Sequence, residues 1–325
     1  MTQTPIFAMP EDIACRLLFI DGLTCSGKSI LSNIIPSLEG IEQIKFSTML
    51  EHLMPALAFG AVNKEYAKAS IRALMNEMAY DTLLARNSNF RPNDQTGILN
   101  FHDPKLYFER LARKEGNEVV DELRQKQRQF PFMTHDFMVN LVHLESLEID
   151  YKMIQLYRHP IDNSYSFYKQ GYCTRWTNDP REFSLMIGFE SHLLPWYCAG
   201  YEQEWLSLNP LERAVRIILD LLSRSINQHK TARSPNNILT ITFDSFVENT
   251  TLEMDRISSF LGSAQTTATP YFLKQANCPR KLISIERRHK LDEFEAGISN
   301  HLFCQLKEYS DRYETNLYEL TSINR

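Results

Sequence analysis

The stretch Arg16-Leu17-Leu18-Phe19-Ile20-Asp21-Gly22-Leu23-Thr24-Cys25-Ser26-Gly27-Lys28-Ser29 decides the fold. Residues 16–20 are a short, mostly apolar run that stops at Asp-Gly, the pattern of a buried strand opening into a turn. Residues 22–29 then fit GxxxxGK[ST], and residues 29–35 (SILSNII) have the spacing of a helix start. Strand before and helix after is the context in which such a loop works. Its glycines let successive backbone N–H groups turn inward and the helix adds the positive end of its dipole, so a phosphate meets donors and field together. Lys28 supplies a point charge, and Ser29 either holds Mg²⁺ or donates its hydroxyl to a phosphate oxygen. Cys25 is read as an inert thiol, the alternative being a thiol activated by the helix N-terminus.

Working outward, residues 41–46 (IEQIKF) are expected to form a second strand after the Glu39-Gly40 break, closing a β-α-β unit. Residues 47–128 read as a mainly helical insertion with one charged and one apolar face per helix. Within it, residues 87–103 are rich in turn formers and are expected to form a loop, with a lid over a site as a guess. Further strands are expected at 130–134 (FPFMT), 153–157 (MIQLY) and 238–243 (ILTITF), with a helix over 211–229 and another ending near Leu261. Alternating strands and helices, without a composition break or repeat, predict an α/β chain: a P-loop NTPase-like parallel sheet flanked by helices. The expected organisation is a single domain over 1–325, with residues 263–325 forming a C-terminal basic loop and helices.

The 325 residues are 43% hydrophobic and 23% charged, as expected of a globular chain. With 35 basic and 40 acidic residues, the net charge of -5 provides no global basic field for a polyanion, so nucleic-acid binding is disfavoured. The N-terminal residues show no basic and apolar leader pattern, and no run of apolar residues is long enough to span a bilayer, which predicts a cytoplasmic protein without membrane association. The six cysteines, at 15, 25, 173, 198, 278 and 304, are scattered without a CxxC pair and are expected to be reduced. Histidines and carboxylates lack the spacing of a zinc or calcium loop, so no metal site is expected.

Two further segments carry chemistry. Tyr157-Arg158-His159-Pro160-Ile161-Asp162 follows an expected strand, and Ser166 lies eight residues after Arg158 on the following helix. An Arg at a strand end can fork onto a phosphate while the Ser hydroxyl takes a further oxygen. Upstream, Met133-Thr134-His135-Asp136-Phe137 places an imidazole, the natural group to take a proton near neutral pH, 23 residues before Arg158.

The order of these motifs resembles that of sulfotransferases that use 3'-phosphoadenosine-5'-phosphosulfate (PAPS). The resemblance is carried by the 22–29 loop, the Thr134-His135 pair, the Arg158-x-Pro160-x-Asp162 segment with Ser166, and 241–262, which runs from a strand through an acidic turn to Phe260-Leu261-Gly262. It covers most of the chain, with residues 47–128 matching poorly. It implies that the 5'-phosphosulfate lies at Thr24, Cys25, Ser26, Gly27, Lys28 and Ser29, and the 3'-phosphate at Arg158 and Ser166. Arg280 and Lys281, from Cys278-Pro279-Arg280-Lys281, are the matching basic loop, with Arg287 and Arg288 behind them. His135 is the implied general base. The family's basic residue two positions before the loop glycine is Cys25 here, and the positive charge appears at Lys28 instead, which suggests that Lys28 does the electrostatic work from a shifted position.

What the resemblance implies is transfer of a sulfuryl group from PAPS to a hydroxyl or amine of a small-molecule acceptor, a natural product among the options, leaving PAP and requiring no metal. Trp176, Trp196, Tyr197, Tyr201 and Trp205 are read first as core and second as the lining of an acceptor or adenine pocket. Two alternatives stand beside this. One is an ATP-dependent small-molecule kinase built on the complete loop pattern, for which Asp21 and Asp244 are poor metal carboxylates. The other is a nucleotide-binding protein without catalysis.

Overall fold

The computed structural model describes residues 7–8, 11–13, 16–126, 128–176, 179–181 and 183–315. A parallel sheet runs in the order β2-β1-β3-β6, with β1 Leu17–Asp21, β2 Phe130–Met133, β3 Tyr151–Tyr157 and β6 Ile238–Thr242. A separate antiparallel hairpin is made by β4 Met186–Phe189 and β5 His192–Pro195. The chain passes from β1 to β2 on one side and then to β3 on the other. The crevice of an open α/β sheet therefore lies above the carboxyl end of β1.

Side chains alternate across the sheet as the pleat demands. Leu17, Phe19, Phe132, Tyr151 and Met153 face one layer, which is filled by residues of the helices Thr48–Ala58, Lys64–Leu83 and Asn117–Lys126. Leu18, Ile20, Ile154, Leu156 and Ile241 face the other, packed against residues 31–44 and the helix Thr250–Leu261. The helical insertion thus covers one face of the sheet rather than standing apart from it. A third cluster joins Leu23 and Tyr157 to the aromatics of residues 167–205 and the long helix Pro210–Lys230.

The strand expected over 41–46 is absent as a regular element. Only two isolated parallel bridges, Ile41 to Gln129 and Lys45 to Phe132, attach this segment to the edge of β2. Four steps on one chain oppose three on the other, so an extra residue bulges between the bridges and interrupts the ladder. The Glu42 and Gln43 side chains explain the bulge, because both are drawn into the insertion. Glu42 is buried and accepts two hydrogen bonds from the Arg110 guanidinium at 2.8 Å, one from Arg128 at 2.9 Å and one from the Tyr107 hydroxyl at 3.1 Å. Gln43 Nε2 donates to the carbonyls of Gln95 and Gly97 in the turn-rich loop.

The helix expected after the phosphate-type loop is also curtailed. Residues 28–37 coil as a 3-10 turn, Lys28–Ile30, one α-helical turn, Leu31–Ile34, and a second 3-10 turn, Ile35–Ser37. Pro36 ends it, and Leu31, Ile34 and Ile35 are buried, so packing rather than length holds the segment. One α turn carries a small dipole, which leaves more of any phosphate binding to N–H groups and side chains. Among the described residues no helix is long and apolar enough to cross a membrane.

Candidate active site

The segments singled out in the sequence lie at the carboxyl ends of neighbouring strands: 22–29 after β1, 134–138 after β2, 158–166 after β3 and 243–248 after β6. The 22–29 loop turns tightly, with Ser26 N–H donating to Leu23 O and both Cys25 and Gly27 left-handed, at φ 67° and 86°. Gly27 has a second reason to lack a side chain, since a Cβ there would lie 2.6 Å from the Phe243 ring. Arg158 locks the loop to β3: its Nη1 donates to Cys25 O at 2.8 Å and to Ser166 Oγ at 3.0 Å. The Arg158 guanidinium also lies 5.2 Å from the centre of the Phe243 ring, and that of Arg280 lies 5.6 Å from it.

Two cavities open on either side of this junction. One, of about 400 Å³, is lined by Arg158, Phe243, Arg280, Arg287 and Lys290, with Asp162, Asp244, Glu248 and Glu286. Its charge is partly neutralised from within. Arg287 donates to Asp162 at 2.8 Å and to Asp244 at 2.9 Å, and Lys290 to Asp162 at 2.8 Å. The other, of about 220 Å³, is bounded by Thr24, Glu51, His135 and Asp136 and by the aromatic rings of Phe46, Phe167, Trp176, Trp196 and Tyr197. Trp176, Trp196 and Tyr197 thus combine core packing with a cavity wall, whereas Tyr201 and Trp205 are core only.

His135 is half-buried at the floor of the aromatic cavity. Its backbone N–H donates to Glu51 Oε1 at 2.8 Å, and its ring Nδ1 lies 3.5 Å from the same oxygen. Phe46 packs edge-on against the imidazole, with ring centres 5.9 Å apart. Glu51, on the Thr48–Ala58 helix, belongs to residues 47–128, where the resemblance is poor, and no spacing in the sequence marked it. Burial holds its carboxyl well above the ordinary range, with the His135 N–H and Lys28 pulling the other way. Asp136 directly follows His135 in the turn after β2. It is buried with φ 62°, its Oδ1 has no hydrogen-bond partner, and burial followed by the Asp21 charge pushes it up to about 8.

Lys28 is buried and folded back onto its own loop, with Nζ donating to Gly22 O at 2.7 Å and Leu23 O at 3.4 Å. An ammonium has three N–H groups, so one remains beyond these two. Burial lowers its pKa, while Asp21, Asp136 and Glu51 raise it. Asp21 accepts from Thr134 Oγ1 and from the backbone N–H groups of Phe137 and Met138, so it caps the turn that presents His135. Burial pushes the Cys25 thiol up to about 11, consistent with an inert side chain. Of the site residues expected from the sequence, Thr24 and His135 line the aromatic cavity and Arg158 and Arg280 the other, while Cys25, Ser26, Gly27, Lys28 and Ser166 lie between them lining neither, and Ser29 and Lys281 are exposed and also line neither. Arg288 pairs with Asp292 at the surface. Cys173, Cys198, Cys278 and Cys304 are free thiols, Cys15 lies outside the described residues, and no group of three or more metal-ligating side chains occurs among the described residues.

Replacing Asp136 by asparagine is expected to raise the melting temperature by an amount that grows with pH. A buried acid whose pKa rises from 3.8 to about 8 takes up a proton on folding between those values. The wild-type protein therefore loses stability progressively as pH climbs from 4 to 8, and asparagine, which tolerates positive φ, does not. Melting curves of both proteins from pH 5 to 9 check this. A constant difference across that range would show that Asp136 is ionised when buried.

A parallel sheet whose connections run to opposite sides of β1, with a tight glycine loop after that strand and an Arg after β3 that bridges to the loop, defines a P-loop-like α/β protein. Residues 23–276 match the family model of the sulfotransferase domain, and the chain belongs to the sulfotransferase family, whose members are sulfuryl-transferring enzymes. None of the curated proteins compared matches the chain. Among solved structures, it is similar to the sulfotransferase domain of the Synechococcus PCC 7002 olefin synthase, at 13% identity and a TM-score of 0.45 over 94% of this chain and 97% of that one. It is also similar to the sulfotransferase domain of the curacin biosynthetic pathway, at 12% identity and 0.47 over 91% and 96%. A sulfotransferase from Alicyclobacillus acidocaldarius gives 14% identity and 0.38 over 90% and 95%. Likenesses this distant carry no argument, and the family assignment rests on the sequence match.

Proposed function

We propose that the protein transfers a sulfuryl group from PAPS to a hydroxyl or amine of a small-molecule acceptor. The observation that carries this is the bond from Arg158 to Cys25 O, which joins the residues assigned to the two ends of the nucleotide, with a separate cavity holding His135 on the far side of the loop. The donor set fits such a nucleotide. Ser26 Oγ and Arg158 Nε are buried polar atoms without a hydrogen-bond partner.

When bound, PAPS supplies a sulfuryl group whose bond to the phosphate oxygen breaks as the acceptor oxygen or nitrogen attacks sulfur, the electron pair leaving with PAP. Arg158, Ser166 and Arg280 hold the 3'-phosphate by charge-assisted hydrogen bonds. Thr24, Ser26, Gly27 and the third N–H of Lys28 take up charge that grows on the leaving side. His135 removes the acceptor proton, and Glu51 fixes the backbone that carries it. The aromatic walls keep water from competing as the nucleophile. Both carboxylate oxygens of Asp21 are engaged by the 134–138 turn, which makes it a poor ligand for the Mg²⁺ that a kinase would bring here.

Calorimetric titration with PAP in the presence of EDTA, and separately with ATP and Mg²⁺, tests the donor. Metal-independent PAP binding with little affinity for ATP is expected. Binding of ATP that requires Mg²⁺, without PAP binding, would sink the reading in favour of a kinase.

A further inference from the structure

The turn-rich loop of residues 87–103 does not close over His135; it walls a third cavity. This cavity, of about 250 Å³, is lined by Lys45, Phe46, Met78, Asp81, Arg86, Asn87, Asn89 and Thr96. Phe46 lines both it and the aromatic cavity, with one edge against His135. The loop is internally tied, with Asn89 Nδ2 donating to Thr96 Oγ1 and Asn100 Nδ2 to Asp94 O, and it is anchored to Gln43 at the edge of the sheet. It is therefore a fixed wall rather than a flap.

The charges in this cavity do not cancel. Asp81 is engaged by Arg86 at 3.2 Å and by Asn87 at 2.6 Å, and Arg86 also reaches Glu115. The nearest other carboxylate, Glu42, is taken up by Arg110, Arg128 and Tyr107. Lys45 is half-buried; its backbone pairs with Pro131 and Met133, while its ammonium lies in the field of Glu42 and Asp81 without an ion-pair contact to either. A partly desolvated ammonium with no carboxylate in ion-pair contact, beside amide and hydroxyl groups, suits an anion supplied from outside.

We propose that this third cavity is a subsite for an anionic group of the acceptor, with Lys45 as its counter-ion and Phe46 as the wall between that group and the reacting hydroxyl or amine. The acceptor class is then a molecule with a nucleophilic group at one end, an apolar spacer that passes Phe46, and a carboxylate or similar anion at the other. This rests on the aromatic cavity being the acceptor site of a sulfotransferase.

Three phenols that share a ring and differ in the tail, 4-hydroxyphenylacetate, tyramine and 4-ethylphenol, serve as probes with the PAP-saturated protein. The carboxylate is expected to bind about tenfold more tightly than either other phenol, as a partly desolvated charge pair allows. Lys45→Met is expected to abolish that preference and Lys45→Arg to retain it, with PAP affinity and melting temperature unchanged in both. No preference for the carboxylate, a preference that survives Lys45→Met, or no binding of any of the three phenols would overturn the proposal. A carboxylate preference that needs Lys45 in a protein that does not bind PAP would instead leave the subsite standing and remove the sulfotransferase donor.

Discussion

Arg158→Ala is expected to weaken PAP binding by about 10²–10³-fold, the effect of deleting one partner of a buried, hydrogen-bonded charge contact. Two losses combine in it. The guanidinium that would hold the 3'-phosphate disappears, and so does the 2.8 Å bond that fixes Cys25 O, so the loop for the 5' end is loosened at the same time. Arg158→Lys separates the two, because a lysine keeps the charge but cannot fork onto a phosphate while also reaching a carbonyl and Ser166. It is expected to recover only a small part of the affinity. Burial already lowers the Arg158 pKa, with Asp162 opposing, so an anion at this position gains from a poorly solvated guanidinium. Titration of wild type and both variants with PAP checks the order. Equal affinity in all three would place the nucleotide elsewhere in the fold.

The parts of the site that could be read from the sequence are those built from short contiguous segments at strand ends. Residues 16–29, 153–166 and 238–262 each carry strand, turn and chemistry together, so a strand pattern fixes where the polar residue after it must stand. Arg158 and Ser166 meet because eight residues across one strand end and the first turns of the Pro160–Lys169 helix leave few alternatives. The remainder depends on contacts between distant residues. Glu51 reaches His135 from a helix 84 positions away, and nothing in the local pattern around it differs from a solvated helix face. The strand expected over 41–46 had the right apolar spacing, but the buried charge of Glu42 outweighed it. Arg110, 68 residues on, draws that carboxylate inward and distorts the edge. The hairpin of β4 and β5 escaped notice because four residues per strand, only two of the eight fully buried, give too short an alternation to stand out. Lys281 and Ser29 looked equivalent to their neighbours in sequence, and only the direction of the turn leaves them exposed.

His135→Ala is expected to lower kcat/KM for sulfuryl transfer by about 10²–10⁴-fold, the usual span for removal of a positioned general base, while leaving PAP affinity within about twofold. The split follows from the geometry, since His135 lines the aromatic cavity and not the one beside Arg158. Glu51→Gln is the necessary companion. Glutamine still offers an oxygen to the His135 N–H, so the 2.8 Å bond that holds the turn survives and only the charge near Nδ1 is lost. If the imidazole takes the proton, the glutamine variant is impaired less than the alanine variant, and its activity still rises with pH as the imidazole becomes neutral. If the carboxyl takes it, the order reverses, because a buried acid held well above its ordinary range becomes a competent base near neutrality and glutamine cannot replace it. Burial that makes Glu51 expensive to ionise thus makes it, like Asp136 in the same cavity, a group able to displace His135 from the role. Steady-state rates of both variants across pH 6 to 9, with PAPS saturating, decide which of the two removes the acceptor's proton.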